Sequence, residues 1–320
     1  MEKNMSHEVN DCVPTVIEHF VGQKQVVSRV KVMLEATWND GVRAPHCLLT
    51  GSAGLGKTQL AHILAKEMGS ELKEVLAQNL NSPQHLNGFL MDSTNKDVLL
   101  IDEIHELPST MQTALYRAME NGLVFVNGHI SKKPFPVKLP SITILGATTD
   151  QHKLLKPLMD RFKLILPFEF YTEDELELLL RNRTKGLKWE VHDEVFPMVA
   201  KRAHGVPRIA LRLLSSIRLT ARSEDASVMT VEHTKKTFEL ESIDEMGLGN
   251  EERKYLKILS EHNTPIRLNV IASKLGVNNR NVSDVLELYL LRSGLIMKID
   301  SGRTLTAAGL QYVKSYCEGN

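Results

Sequence analysis

Apolar residues along this chain follow two rhythms, and the change comes near Thr172. Before it, short unbroken apolar runs alternate with stretches in which apolar residues recur every three or four positions. Cys47-Leu48-Leu49-Thr50, Val98-Leu99-Leu100-Ile101, Ile142-Thr143-Ile144-Leu145 and Leu164-Ile165-Leu166 have strand length and no polar face. That is the pattern of strands covered on both sides of a parallel sheet. Glu71 to Ala77 is a further strand candidate. Between these runs, Val26, Val27, Val30, Val32, Met33 and Ala36 mark one side of a helix that Asn39-Asp40-Gly41 ends. Gln59 to Met68 reads as a helix closed by Gly69, Pro83 to Leu90 as a short one, and Met111 to Glu120 as an amphipathic one stopped by Asn121-Gly122. Strands and helices in alternation predict an α/β domain with a parallel sheet. One excursion interrupts it. Leu123 to Val126, Asn127-Gly128 and His129-Ile130 resemble a β-hairpin with an Asn-Gly turn, and Lys132 to Val137 continues as a basic and apolar segment, either a loop or a partner-binding insertion.

After Thr172 the pattern is helical to about residue 240, which predicts a separate small bundle. Thr172-Glu173-Asp174-Glu175 is a capping box. His204-Gly205-Val206-Pro207-Arg208 starts a new helix, with Gly205 in the turn and Pro207 near the first helical position. The last segment carries helical patterns over Arg253–Ser260, Leu268–Leu275 and Val282–Ser293, then strand, turn and strand from Leu295 to Leu305. Three helices and a hairpin predict a winged-helix version of helix-turn-helix. The expected organisation is a polar arm over 1–15, an α/β domain over 16–171, a helical domain over 172–243 and a winged helix over 244–320.

Composition narrows this picture in three ways. At 320 residues the chain exceeds one ordinary domain, in keeping with the two changes of rhythm. The formal net charge is zero, so any affinity for nucleic acid must come from local distribution. Residues 251–320 hold ten Lys/Arg against seven Asp/Glu, a net of +3, which favours DNA over protein as the winged helix's contact. Cys12, Cys47 and Cys317 are too scattered for a disulfide framework or a metal site, no apolar run is long enough to span a membrane, and Met1 to Met5 leads into polar sequence. A soluble cytoplasmic protein is the expectation.

The most specific chemistry is Gly51-Ser52-Ala53-Gly54-Leu55-Gly56-Lys57-Thr58, placed between the first strand and the helix that begins near Gln59. Gly51, Gly54 and Gly56 allow the backbone to turn its N–H groups onto a phosphate, and the helix N-terminus adds partial positive charge. Lys57 suits the β- and γ-phosphates and Thr58 suits Mg²⁺. The run to Ile101 ends in Asp102-Glu103, at the sheet edge where ligands of α/β proteins sit. Asp102 would hold Mg²⁺ and Glu103 would polarise the attacking water. Thr149, or Thr148, closes another strand and would touch the γ-phosphate or that water. Arg161 stands just before the last strand, where an arginine serves either a surface ion pair or a neighbouring subunit's nucleotide. Arg208, in a first helical turn, opposes the helix dipole, as it would to face an anion; an exposed arginine with no ligand fits as well. Arg280 and Asn281 open the third winged-helix helix and Arg303 is placed at the hairpin tip, all three as DNA contacts.

In this order the motifs resemble those of AAA+ ATPases, and their wording is most similar to the RuvB family from about Phe20 to Tyr312. The most specific stretches are Phe20-Val21-Gly22-Gln23, Gly54-Leu55-Gly56-Lys57-Thr58 and Ile101-Asp102-Glu103-Ile104-His105. Leu145 to Thr149, Asp160-Arg161-Phe162, Phe170-Tyr171 and Pro207-Arg208-Ile209-Ala210 add to them, and Asp284 to Leu290 resembles the family's winged helix. The resemblance implies a hexameric ring threaded by duplex or junction DNA, with ATP and Mg²⁺ used between subunits to drive Holliday junction branch migration. It implies Thr149 as first sensor, Arg161 as a finger acting in trans, Arg208 as second sensor, and Val21 and Tyr171 lining the adenine pocket; Leu55 and Gln59 belong to the same nucleotide-binding set. Departures from the family's wording are Val13, Ser52-Ala53, Glu106, Asp150 and Met159. The 123–138 hairpin, where a RuvA-like partner is implied, is shorter and differently worded, which leaves open a divergent paralogue with another partner. Two other readings stay open: an AAA+ initiator or loader using ATP as a switch, and a DNA-binding regulator whose nucleotide controls assembly.

Overall fold

The computed structural model describes residues 8–127, 134–262 and 264–318. The chain divides into two compact units, one running through Trp189 with Gly205–Arg212, the other comprising Glu190–His204 and Leu213 onward.

The first unit is built on five parallel strands. In chain order it contains α1 (Lys24–Asp40), β1 (Cys47–Thr50), α2 (Lys57–Glu67), β2 (Leu72–Leu76), α3 (Pro83–Met91), β3 (Val98–Asp102) and α4 (Ser109–Asn121). A hairpin of β4 (Leu123–Asn127) and β5 (Pro134–Lys138) follows, then β6 (Thr143–Thr148), α5 (Lys156–Met159), β7 (Leu164–Pro167) and α6 (Glu173–Leu187). The sheet order is β2-β3-β6-β1-β7. β1 and β6 are buried at every position, as their unbroken apolar runs require. On one face of the sheet Leu48, Leu99, Ile101, Ile144, Leu115, Leu158 and Phe162 join one core cluster. The capping box of α6 forms as expected: Glu175 N–H donates to Thr172 Oγ1 at 3.2 Å and Thr172 N–H to Glu175 Oε2 at 3.1 Å.

Two local expectations change here. The strand paired with β4 is Pro134–Lys138, in register Leu123↔Lys138 through Asn127↔Pro134, so the basic and apolar excursion is itself a strand. Two prolines are tolerated because the ribbon has only two strands and each keeps a free edge. The Asn-Gly turn and His129-Ile130 lie outside the described residues. Residues 8–15, expected as an arm, are tied down: Arg183 donates to the Val9 carbonyl at 2.5 Å and Gln59 to the Pro14 carbonyl at 2.8 Å.

α8 (Pro207–Ser223) belongs to both units, with its first turn in the first. The second unit opens with β8 (Glu190–Val191) and α7 (Val195–Arg202), then adds β9 (Val228–Met229) and α9 (Val231–Leu240). The two-residue ladder of β8 and β9 interrupts what the sequence reads as purely helical. α10 (Asn250–Ser260), α11 (Leu268–Leu275), α12 (Asn279–Asn281) and α13 (Glu287–Arg292) precede β10 (Ile296–Ile299), β11 (Gly302–Leu305) and α14 (Ala307–Glu318). Residues Val282–Leu286 join α12 to α13 as a π-helical turn. The sequence pattern does not predict the closing helix α14. Leu248, Tyr255, Leu256, Ile271, Val282, Leu290 and Ile296 form the core of this winged helix. Among the described residues no helix is long and apolar enough to cross a membrane.

Candidate nucleotide site at the carboxyl edge of the sheet

Parallel strands end on the same edge, so chain-distant residues after β1, β3, β6 and β7 meet there. The glycine-rich loop after β1 has Gly51, Gly54 and Gly56 at φ 133°, 80° and 99°, values that L side chains rarely adopt. At Gly54 space is also short: an added Cβ would lie 2.9 Å from Val206 Cγ1 and 3.0 Å from Arg208 Cβ. The Arg208 N–H donates to the Gly54 carbonyl at 3.3 Å, which sets the start of α8 against the loop.

Lys57 is buried, and its ammonium donates to the carbonyls of Gly51 at 2.7 Å and Ser52 at 2.9 Å. Burial depresses its pKa; the charges of Glu103 and then Asp102 oppose that shift, and Arg208 adds to it. Thr58 Oγ1 lies 3.4 Å from Asp102 Oδ2. These two oxygens fit Mg²⁺, a hard cation that takes one or two carboxylates plus phosphate and water in place of a full protein cage. Among the described residues no cluster of three His, Cys, Asp or Glu side chains offers such a cage. The left-handed glycines of the loop and the buried ammonium likewise fit a triphosphate.

β3 and β6 are neighbours in the sheet, with Ile101 opposite Gly146. This brings Glu103 beside Thr149, whose hydroxyl and N–H donate to Glu103 Oε2 at 3.0 and 3.3 Å. Of the two threonine candidates, Thr149 therefore meets the acidic box. Thr148 is fully buried and lies 3.0 Å from His105 Nδ1.

Tyr171, after β7, is buried and donates to the Leu55 carbonyl at 3.3 Å. Its ring packs where a Gly22 side chain would stand, and the Phe20 ring lies against Gly56, so the segment flanking Val21, Tyr171 and the loop form one contiguous surface. Gln23, given no role from sequence, clamps this corner. Its amide donates to the Glu169 carbonyl at 2.6 Å and accepts from the Glu169 N–H at 3.0 Å. Gln59 spends its side-chain amide on Pro14, leaving only its place in the helix N-terminus for a phosphate. Arg161 pairs with Glu120 at 2.5 Å, and its Nε is buried without a partner among the described residues. Met159, one of the departures, packs against the core cluster. Asp150 caps the turn that follows it and pairs with Lys153 at 3.3 Å.

In the second unit the DNA candidates separate. Arg280 is exposed and Asn281 half-buried at the start of the third helix, where the Asn278 side chain accepts the Asn281 N–H at 2.7 Å. Arg303 is not at the hairpin tip. It lies in β11 opposite Lys298, is 9% exposed, and holds Glu287 through Nε at 2.8 Å and Nη2 at 3.2 Å. Tyr255 donates to the same carboxylate at 2.8 Å. Arg303 therefore neutralises a buried acid and is removed from the set of groove contacts.

Comparison with known proteins gives three consecutive family matches. The Holliday junction DNA helicase RuvB P-loop domain matches residues 12–168, the RuvB AAA lid domain 171–244, and the RuvB C-terminal winged helix domain 245–314. The Holliday junction branch migration complex subunit RuvB of Prochlorococcus marinus is 33% identical over 318 residues, 98% of this chain and 90% of that one. Its counterpart in Ehrlichia canis is 34% identical over 304 residues, 94% of this chain and 92% of its own. The structure of the Thermotoga maritima RuvB Holliday junction branch migration motor superposes with a TM-score of 0.84 at 34% identity, covering 94% of this chain and 97% of that one. Phosphate loop, acidic box, lid and winged helix thus occur in one order and one fold, and by these matches the chain belongs to the RuvB family.

Proposed function

We propose that this chain is an ATP-hydrolysing DNA motor of RuvB type that moves duplex DNA and drives Holliday junction branch migration. The observation that carries the reading is the convergence of Lys57, the Thr58–Asp102 pair and the Thr149–Glu103 pair on one sheet edge. Loop N–H groups and the α2 N-terminus bind phosphate, and Lys57 exchanges its two carbonyl partners for phosphate oxygens. Thr58 and Asp102 would hold Mg²⁺, which would supply positive charge against the triphosphate. Glu103 accepts a proton from the attacking water while Thr149 fixes its carboxylate. Arg161 acts in trans in a ring of copies, leaving Glu120 for a neighbour's phosphate, and Arg208 serves the nucleotide from its own chain. Val21 and Tyr171 line the adenine pocket. The winged helix contacts DNA through Arg280 and Asn281. A RuvA-like partner would dock on the 123–138 hairpin, where Phe125 and Phe135 are 60% and 49% exposed.

The test is ATP turnover with and without four-way-junction DNA, for the wild type and Glu103→Gln. Hydrolysis stimulated by DNA and reduced in Glu103→Gln by at least about a hundredfold is expected, the usual worth of a general base. Hydrolysis indifferent to DNA would favour the ATP-switch reading.

A further inference from the structure

The Glu103 carboxylate is held asymmetrically. Oε2 receives the Thr149 N–H at 3.3 Å and the Thr149 hydroxyl at 3.0 Å, and His105 Nδ1 stands 3.2 Å from the same oxygen. No described residue donates to Oε1. The His105 ring is itself fixed at both nitrogens. Its side chain is 7% exposed, Nδ1 lies 3.0 Å from the buried Thr148 hydroxyl, and Nε2 lies 3.2 Å from Glu106 Oε1. The Glu103 backbone sits at φ 49°, left-handed for a residue with a side chain, and the 3₁₀ turn Ile104–Glu106 begins there with the Glu106 N–H donating to the Glu103 carbonyl at 2.8 Å. Ile104 anchors that turn by packing where Gly146 has no side chain.

We propose that His105 is a positioning residue for the hydrolytic step: with both ring nitrogens carrying a proton, Nε2–H donates to Glu106, Nδ1–H donates to Glu103 Oε2 with the Thr148 hydroxyl beside it, and Glu103 Oε1 is left as the acceptor for the water proton. This rests on Glu103 being the base. Thr149 alone restrains Oε2 from the β6 side; His105 restrains it from the Glu103 side of the same edge, so the carboxylate cannot swing about its last torsion. Glu106 takes part by holding the ring's far nitrogen.

Two near-isosteric substitutions separate positioning from packing. His105→Asn keeps a donor near the Nδ1 position, whereas His105→Gln keeps one near Nε2. The full-length chain is assayed for ATP turnover with junction DNA, for affinity towards a fluorescent ATP analogue and for thermal unfolding. Expected is a fall in kcat of at least about tenfold for His105→Gln, the common effect of losing an outer-shell partner, with analogue affinity and KM unchanged and kcat largely recovered in His105→Asn. Equal kcat in wild type and His105→Gln would overturn the proposal, as would equal losses in both variants accompanied by a lowered unfolding temperature. A wild type that hydrolyses ATP with Glu103→Gln unimpaired would sink the assignment of the base itself, a distinguishable failure.

Discussion

A phosphate loop works because its backbone is held in a shape that side chains would resist, and at Gly54 two causes coincide. Its φ of 80° is left-handed, and the space beside it is filled by Val206 and Arg208. In Gly54→Ala the conformational cost alone is about 1–2 kcal/mol, and relief requires the loop or the start of α8 to move. A loop that has relaxed must be restored when phosphate binds, so affinity for ATP is expected to fall roughly tenfold, the equivalent of about 1.4 kcal/mol. Equilibrium titration with a fluorescent ATP analogue measures this; unchanged affinity would show that the loop tolerates a side chain here. Lys57 contributes in the opposite sense, since an ammonium taken out of water and given only two carbonyls is poised to accept anionic oxygens.

At the level of the element, the winged-helix hairpin depends on a buried charge pair. Removing one partner leaves the other uncompensated in the core, a loss of about 3–5 kcal/mol. Arg303→Ala is therefore expected to destabilise the second unit by that order, read as a lower denaturant midpoint, because Glu287 is 1% exposed. It would reduce DNA binding only by unfolding the domain. Arg280→Ala tests contact directly: on an exposed helix start, stability should change by no more than about 0.5 kcal/mol, while log affinity for duplex DNA against log salt should lose about one unit of slope. The same affinity and slope in Arg280→Ala would remove this helix from the DNA interface.

Over the whole molecule, one buried and one half-buried imidazole make folding sensitive to acid. His46 is 7% exposed, and its Nδ1 accepts the Ile144 N–H at 2.9 Å, which requires that nitrogen to be unprotonated. Burial first, then the charges of Arg43 and Lys163, lower its pKa from 6.5 to about 4. His204, in the other unit, is likewise lowered to about 4, chiefly by burial. The folded pKa lies below the unfolded one, so the unfolded chain binds the proton first. Stability is complete above about pH 6.5 and falls towards pH 4, by at most about 1.4 kcal/mol per pH unit for His46. The urea midpoint at pH 5 should be lower than at pH 7, and this difference should shrink in His46→Asn, which keeps an acceptor near Nδ1. An equal pH dependence in that variant would rule out His46 as a source.

The chain's short-range patterns determined the phosphate loop, the acidic box, the parallel α/β core, the capping box at Thr172 and the winged-helix hairpin. Each is written within a few consecutive residues: glycine spacing, apolar runs or turn chemistry. Pairings between distant segments needed the tertiary structure. Thr149 meets Glu103 across 46 residues because β6 lies beside β3, a neighbourhood that no local pattern encodes. His105 closes one of the most specific stretches of the sequence but has no role of its own there until the fold places Thr148 against it. Arg303 reads as a tip cation by its distance from the turn; the register opposite Lys298 and the two-residue period of a strand turn it inward onto Glu287 instead. The basic and apolar stretch Lys132–Val137 reads as a loop or a partner-binding insertion, and Pro134–Lys138 becomes a strand because β4 supplies the partner and the ribbon's outer edge needs no proline N–H.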